Sequence, residues 1–136
     1  MVLTNIRIKT DRLLLKPITL DFAGDIFNEF SWEITKYMYP KHAEKIEETY
    51  DFINNSLMKL KSGIDLQMVI TNEDEFIGCI GLHNINTLTP ELGIWTKKLS
   101  HKNGYGLEAM TGLIEWSHEN IKFSHLIYPV DKKKYC

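Results

Sequence analysis

The chain has 136 residues, 43% hydrophobic and 25% charged, with a formal net charge of -2. That size supports one domain, residues 1–136, with one core. The charge argues against nucleic acid as the main partner, which usually meets a strongly basic face. No apolar run approaches a membrane span, and MVLTNIRIKTDR places charges where a signal peptide would be apolar. The two cysteines, Cys79 in an apolar run and Cys136 at the end, form neither a disulfide framework nor a metal spacing. A reducing cytoplasm is the expected compartment.

In chain order, residues 6–18 (IRIKTDRLLLKPI) read as extended up to Pro17. Thr19 is a candidate N-cap for a helix with Phe22, Ile26 and Phe30 at spacing four. SWEITKYMYP is aromatic and irregular and stops at Pro40. The clearest helix follows: Ile46, Tyr50, Ile53, Leu57 and Leu60 form one stripe, ended by Ser62 and Gly63. Tyr50 and Phe52 are expected in the core.

The period then changes to two. Leu66, Met68 and Ile70 are read as alternating with polar residues in LQMVIT, NEDE turns, and EFIGCIGLHNI returns as a hairpin strand. Pro90 breaks the chain before a third strand, ELGIWT. SHKNGYG leads into a helix from about Gly106 to Glu119, with Leu107, Met110, Leu113, Ile114 and Trp116 mostly on one side. HLIYPV reads as a last strand. The predicted class is α+β, with an antiparallel centre and one strand–helix–strand crossover.

The junction SHKNGYGLEAM carries the chemical signal. A helix start exposes unpaired N–H groups and partial positive charge. Glycines before it let backbone N–H groups converge on an anion. Lys97, Lys98, His101 and Lys102 stand just upstream. The pattern predicts a phosphate or pyrophosphate seat. GYGLEA also fits a relaxed dinucleotide fingerprint, with Asp131 after the next strand. Against that, residues 97–103 separate the strand from Gly104, and residues 105–136 are few for a nucleotide-binding half.

His101-x-x-Gly104-x-Gly106 resembles the acetyl-CoA loop of the GNAT superfamily of N-acetyltransferases, whose pattern is Q/R-x-x-G-x-G/A. TDRLLLKPIT, ITKYMYP and ELGIW before GYGLEAM resemble the subfamily of ribosomal-protein N-terminal acetyltransferases. The element order agrees from residue 10 to about residue 131. The resemblance implies a mixed, mostly antiparallel sheet flanked by helices. It implies acetyl-CoA as co-substrate and a primary amine, protein N-terminal or small, as acceptor. Pantetheine would pair with the backbone of Ile94, Trp95 and Thr96. Amides of His101, Lys102, Asn103, Gly104, Tyr105, Gly106 and Leu107 would cradle the pyrophosphate. Lys97, Lys98 or Lys102 would meet the adenosine 3′-phosphate.

Four positions depart from the family pattern. His101 replaces Gln or Arg, and Lys97-Lys98 replaces a common Asp-Pro. Lys134 stands about where the family has an Asn, and the family continues past Cys136 with a further helix and strands. The resemblance therefore implies a chain shortened at its C-terminus. An exposed sheet edge would then favour a homodimer. The alternative expectation is a catalytically silent fragment that binds CoA or self-associates.

Acetyl transfer needs a neutral amine. At pH 7, neutralising a lysine-type amine of pKa about 10.4 costs about 4.6 kcal/mol, and an α-amine about 1–1.4 kcal/mol. A weak base therefore serves a protein N-terminus more easily. Glu91, Glu108 and His83 are the candidate bases, with Glu91 preferred, and Tyr128 is the candidate proton donor to the thiolate. Trp32, Tyr37 and Tyr39 are expected to wall the acceptor cleft.

Overall fold

The computed structural model describes residues 3–30, 34 and 42–128. Trp32, Tyr37 and Tyr39 lie outside the described residues, as does everything after Tyr128.

The first extended stretch is two short strands, β1 (Ile8–Lys9) and β2 (Leu14–Pro17). The Thr10 hydroxyl breaks the run: it receives the Leu13 N–H at 3.1 Å, while Thr10 N–H donates to the Leu13 carbonyl at 2.9 Å. This closes a turn over Asp11 and Arg12. Thr19 makes no side-chain cap and leads into a 3-10 turn, Leu20–Phe22, and helix α1 (Ala23–Glu29). Ile26 is buried, with Phe22 and Phe30 packed beside it, as the spacing of four predicts.

Helix α2 (Ile46–Lys61) ends as expected: Gly63 takes a left-handed φ of 74°, and Ile64 N–H returns to the Lys59 carbonyl at 3.0 Å. Its buried face differs from the predicted stripe. Thr49, Ile53, Ser56 and Leu60 are inside, whereas Tyr50 and Phe52 are 41% and 43% exposed. Thr49 and Ser56 occupy the sheet-facing side, while Phe52 lines a cavity beside the helix.

Strands β3 (Leu66–Asn72), β4 (Glu75–His83) and β5 (Glu91–Thr96) complete one sheet in the order β1-β2-β3-β4-β5, antiparallel throughout. The β3–β4 turn uses positive φ at Glu73 and Asp74, the twist a tight hairpin requires. Opposite Ile70 and Thr71 the register shifts, leaving Ile77 as the extra residue of a bulge. β3 is buried on both faces, so Gln67, Val69 and Thr71 are inside with Leu66, Met68 and Ile70. Gln67 meets this by donating to the Ile80 carbonyl at 3.3 Å.

Helix α3 (Tyr105–Asn120) packs on one face, with Ala109 and Leu113 among Met68, Ile70, Ile77, Ile80, Leu82 and Leu92. Leu107, expected on its apolar side, is 73% exposed. Helices α1 and α2 cover the other face, where Ile18, Ile26, Ile53, Val69, Phe76 and Cys79 form a second core. Of the expected last strand, the described residues contain a parallel bridge between Glu91 and Ile127. This gives the predicted crossover: β5, then α3, then a segment parallel to β5.

Candidate functional site

Side-chain parity along β5 divides its residues. Leu92 N–H donates to the Ile127 carbonyl at 2.7 Å, and Lys97 N–H turns back to Ile77 at 2.8 Å. The backbone groups of Leu92, Ile94 and Thr96 therefore face the outer edge, and those of Glu91, Gly93 and Trp95 face β4. Past the Ile127 bridge, no described strand covers that edge at Ile94 and Thr96. Of the three residues expected to pair with pantetheine, Ile94 offers its backbone to the edge and Thr96 its N–H, the Thr96 carbonyl being taken by His101. Trp95 spends its own on Cys79 and sends its ring against Phe30 and Phe76.

The loop after β5 is held at its base. His101 Nε2 lies 2.9 Å from the Thr96 carbonyl, and because a carbonyl only accepts, that nitrogen carries the proton. Lys102 and Gly104 have φ of 69° and 77°, curling the chain just before α3. The first helical bond runs from Glu108 N–H to the Gly104 carbonyl at 3.1 Å. The N–H groups of Tyr105, Gly106 and Leu107 thus have no helical acceptor. A Cβ on Gly106 would come no nearer than 4.0 Å to Ile94 Cδ1, so the approach is clear. Lys102 is exposed, whereas Lys97 is committed to Glu75 at 2.8 Å.

A clasp from the β1–β2 turn sets this loop. Arg12 Nε reaches Glu108 Oε1 at 2.7 Å, its Nη1 donates to the Asn103 carbonyl at 2.8 Å, and its guanidinium lies 4.5 Å from the Tyr105 ring centre. Arg12 N–H and the Thr10 hydroxyl both donate to Glu108 Oε2. Partial burial works to raise the Glu108 carboxyl, but these hydrogen bonds and the Arg12 charge outweigh it and hold the group at about 2. A carboxylate so held is a poor proton acceptor, which removes Glu108 from the candidate bases.

On the α1/α2 face, beside β5, lies a cavity of about 630 Å³. Phe30, Phe52, Cys79 and Trp95 supply apolar wall, and Glu44, Glu48 and His83 polar groups. Burial pushes the Cys79 thiol up, so it is wall and not nucleophile. His83 Nδ1 lies 3.0 Å from Asp65 Oδ2, and Asp65 Oδ1 accepts the Asn84 N–H at 3.0 Å. Glu91, half-buried, pairs directly across from His83, so its side chain shares the cavity face. Tyr128 follows the Ile127 bridge beside β5 and is 39% exposed.

Sequence reasoning found the junction and the strand but not Asp65, Thr10 or Arg12. Arg12 stood inside a quoted motif, yet its partners lie across the fold. Among the described residues no group of three or more His, Cys, Asp or Glu could hold a metal, and no helix is long and apolar enough to cross a membrane.

A family model described as an acetyltransferase (GNAT) domain matches residues 12–134. No curated protein matches the chain. Solved structures do. A ribosomal-protein-serine acetyltransferase structure from Vibrio cholerae is 21% identical, with TM-score 0.73, covering 85% of this chain and 68% of that one. RimL, a ribosomal L7/L12 alpha-N-protein acetyltransferase in complex with coenzyme A, is 14% identical, with TM-score 0.81 and coverage of 96% and 78%. The Microcin C7 self immunity acetyltransferase MccE, in complex with acetyl-CoA and AMP, is 20% identical, with TM-score 0.80 and coverage of 97% and 77%.

Proposed function

The chain belongs to the acetyltransferase (GNAT) domain family and is an acetyl-CoA-dependent N-acetyltransferase; we propose that β5 and the Gly104 junction seat acetyl-CoA while the cavity beside β5 receives the amine. The carrying observation is the continuity of three features. They are the Ile94 backbone and the Thr96 N–H, which no described strand pairs, the left-handed Gly104 with the N–H groups of Tyr105 to Leu107 that lack a helical acceptor, and an apolar cavity lined by Ile94 and Trp95.

The residues fit the group. The His101 N–H is already given to the Lys98 carbonyl at 3.1 Å, so the amides from Lys102 to Leu107 would hold pyrophosphate, with partial charge from α3 behind them. Lys98 and Lys102 are the cations for the 3′-phosphate. Ile94 N–H meets the thioester carbonyl oxygen and serves its developing charge. Acetyl-CoA supplies the activated acyl carbon and a thiolate leaving group. Tyr128, next to the edge, donates the proton to that sulfur, and Glu91 orders the amine end. Trp32, Tyr37 and Tyr39 stay proposed for the acceptor wall.

We favour a protein N-terminal α-amine as acceptor, because its neutralisation costs about 3 kcal/mol less than that of a lysine-type amine. RimL, one of the solved structures named above, is a ribosomal L7/L12 alpha-N-protein acetyltransferase, which supports this reading. We assign the protein to the cytoplasm on its buried free thiol at Cys79. Self-association into a homodimer is the partner arrangement to test by sedimentation.

Calorimetry with acetyl-CoA tests the seat. Micromolar binding is expected, lost in Gly106→Asp, whose carboxylate would enter the anion site while leaving the fold intact. Equal binding by both proteins would move the pyrophosphate elsewhere. Binding without turnover on any amine would favour the catalytically silent alternative.

A further inference from the structure

We propose that His83, oriented by Asp65, is the proton acceptor of the acceptor cavity, and that the amine enters as an ammonium on an apolar body; this rests on the acetyl-transfer reading above. Asp65 is buried to 6% exposure, and its carboxylate can only accept. The Nδ1 facing it at 3.0 Å must therefore carry a proton. In the neutral ring this leaves Nε2 as the lone-pair nitrogen. Nε2 points toward Gly93: a Cβ there would sit 3.7 Å from it. Glycine at 93 keeps that nitrogen accessible from the cavity, one residue from Ile94, whose backbone faces the acyl site.

The surroundings favour a cation. Glu44 and Glu48 line the cavity, and no Lys or Arg does among the described residues. Glu48 also accepts the Glu44 N–H at 2.7 Å, which fixes its carboxylate at the start of α2. Phe30, Phe52 and Trp95 supply the apolar wall. The charged groups facing His83 are Asp65, with Lys59 of α2 3.9 Å behind it, Glu91 on β5, and Glu44, Glu48 and His42 at the cavity.

The step balances as follows. The ammonium proton passes to His83 Nε2, and the freed nitrogen lone pair forms the C–N bond at the thioester carbon. The C–S bond breaks, and sulfur leaves with its electron pair and takes a proton from Tyr128, which regains one from the excess proton on nitrogen. His83 returns its proton to solvent. Asp65 is a positioning residue: it holds the ring and steadies the imidazolium.

Thiol release from acetyl-CoA is followed with tyramine, spermidine and a seryl dipeptide as probes. His83→Gln should lower kcat/KM on the best probe about 100-fold at pH 7, with the KM for acetyl-CoA within about twofold. The pH profile of kcat/KM should change shape. Added imidazole should restore part of the activity of His83→Ala. Methoxyamine, already neutral at pH 7, should lose far less than the alkylamines. Asp65→Asn should lose about tenfold. If Gln at 83 melts early, His83→Asn and the imidazole rescue carry the same test. Unchanged turnover and pH profile in the His83 variants overturn the dyad while leaving acetyl transfer standing. Absence of thiol release by the unmodified protein on every probe removes both.

Discussion

Arg12 Nε donates to Glu108 Oε1 at 2.7 Å, joining the turn between β1 and β2 to the first turn of α3. The same guanidinium holds the Asn103 carbonyl and covers the Tyr105 ring. One side chain thus fixes both sides of Gly104. Exposed ion pairs contribute little to stability by themselves. The larger effect here is ordering a loop that must present its amides to an anion.

Arg12→Ala is therefore expected to weaken acetyl-CoA binding about tenfold, with a melting temperature lowered by only a few degrees. Arg12→Lys should recover little, because an ammonium cannot serve carboxylate, carbonyl and ring together. Calorimetry and a melt on the same preparations separate the two effects. A collapse in melting temperature with unchanged affinity would make the clasp purely structural.

Glu108 gives the pH dependence. Its carboxyl is held at about 2 against an ordinary value of 4.5, so the unfolded chain binds the proton more readily. The stabilisation is fully present above pH 4.5 and fades as pH falls toward 2. After screening at half-exposed Arg12 it amounts to about 1–2 kcal/mol. Urea unfolding at pH 6 and pH 3 should show Glu108→Gln less stable at pH 6, with the gap narrowed to about half at pH 3. A constant gap at both pH values would contradict the assignment.

Two glycines should respond in opposite ways. A Cβ on Gly78 would lie 2.1 Å from the Trp95 carbonyl oxygen, a backbone atom with nowhere to go. Gly78→Ala is expected to cost about 3 kcal/mol by separating β4 from β5. Gly106→Ala meets only Ile94 Cδ1 at 4.0 Å and sits in a helix, so it should be neutral or slightly stabilising. Denaturant midpoints of the two variants decide the matter.

Cys79 should resist alkylation. Its thiol is 2% exposed, and burial disfavours the thiolate. Iodoacetamide at pH 8 should label the Cys79 peptide at least about 1000-fold more slowly in the native protein than in urea, as global opening limits access. Rapid native labelling, read by mass spectrometry, would mean the cavity wall opens freely.

Local pattern determined most of the elements by itself. Short apolar runs between turn residues marked β3 to β5, although β3 is buried on both faces and not on alternate residues, a spacing of three and four marked α2, and Gly63 and Gly104 marked a helix end and a helix start. These signals arise between residues a few positions apart, where backbone geometry alone sets the repeat. The same signals misjudged Tyr50, Phe52 and Leu107, since a helix face is apolar only relative to what packs on it. The clasp joins residues 96 apart and the dyad residues 18 apart, and no periodicity links such pairs. Glu108 looked like a possible base in sequence and became a fixed structural anion once Thr10 and Arg12 reached it. His83 looked like a strand-end histidine and acquired an orientation from Asp65. Which residue types were available was written in the chain; their protonation and direction were decided by the tertiary structure, because both depend on neighbours that only folding brings within hydrogen-bond distance.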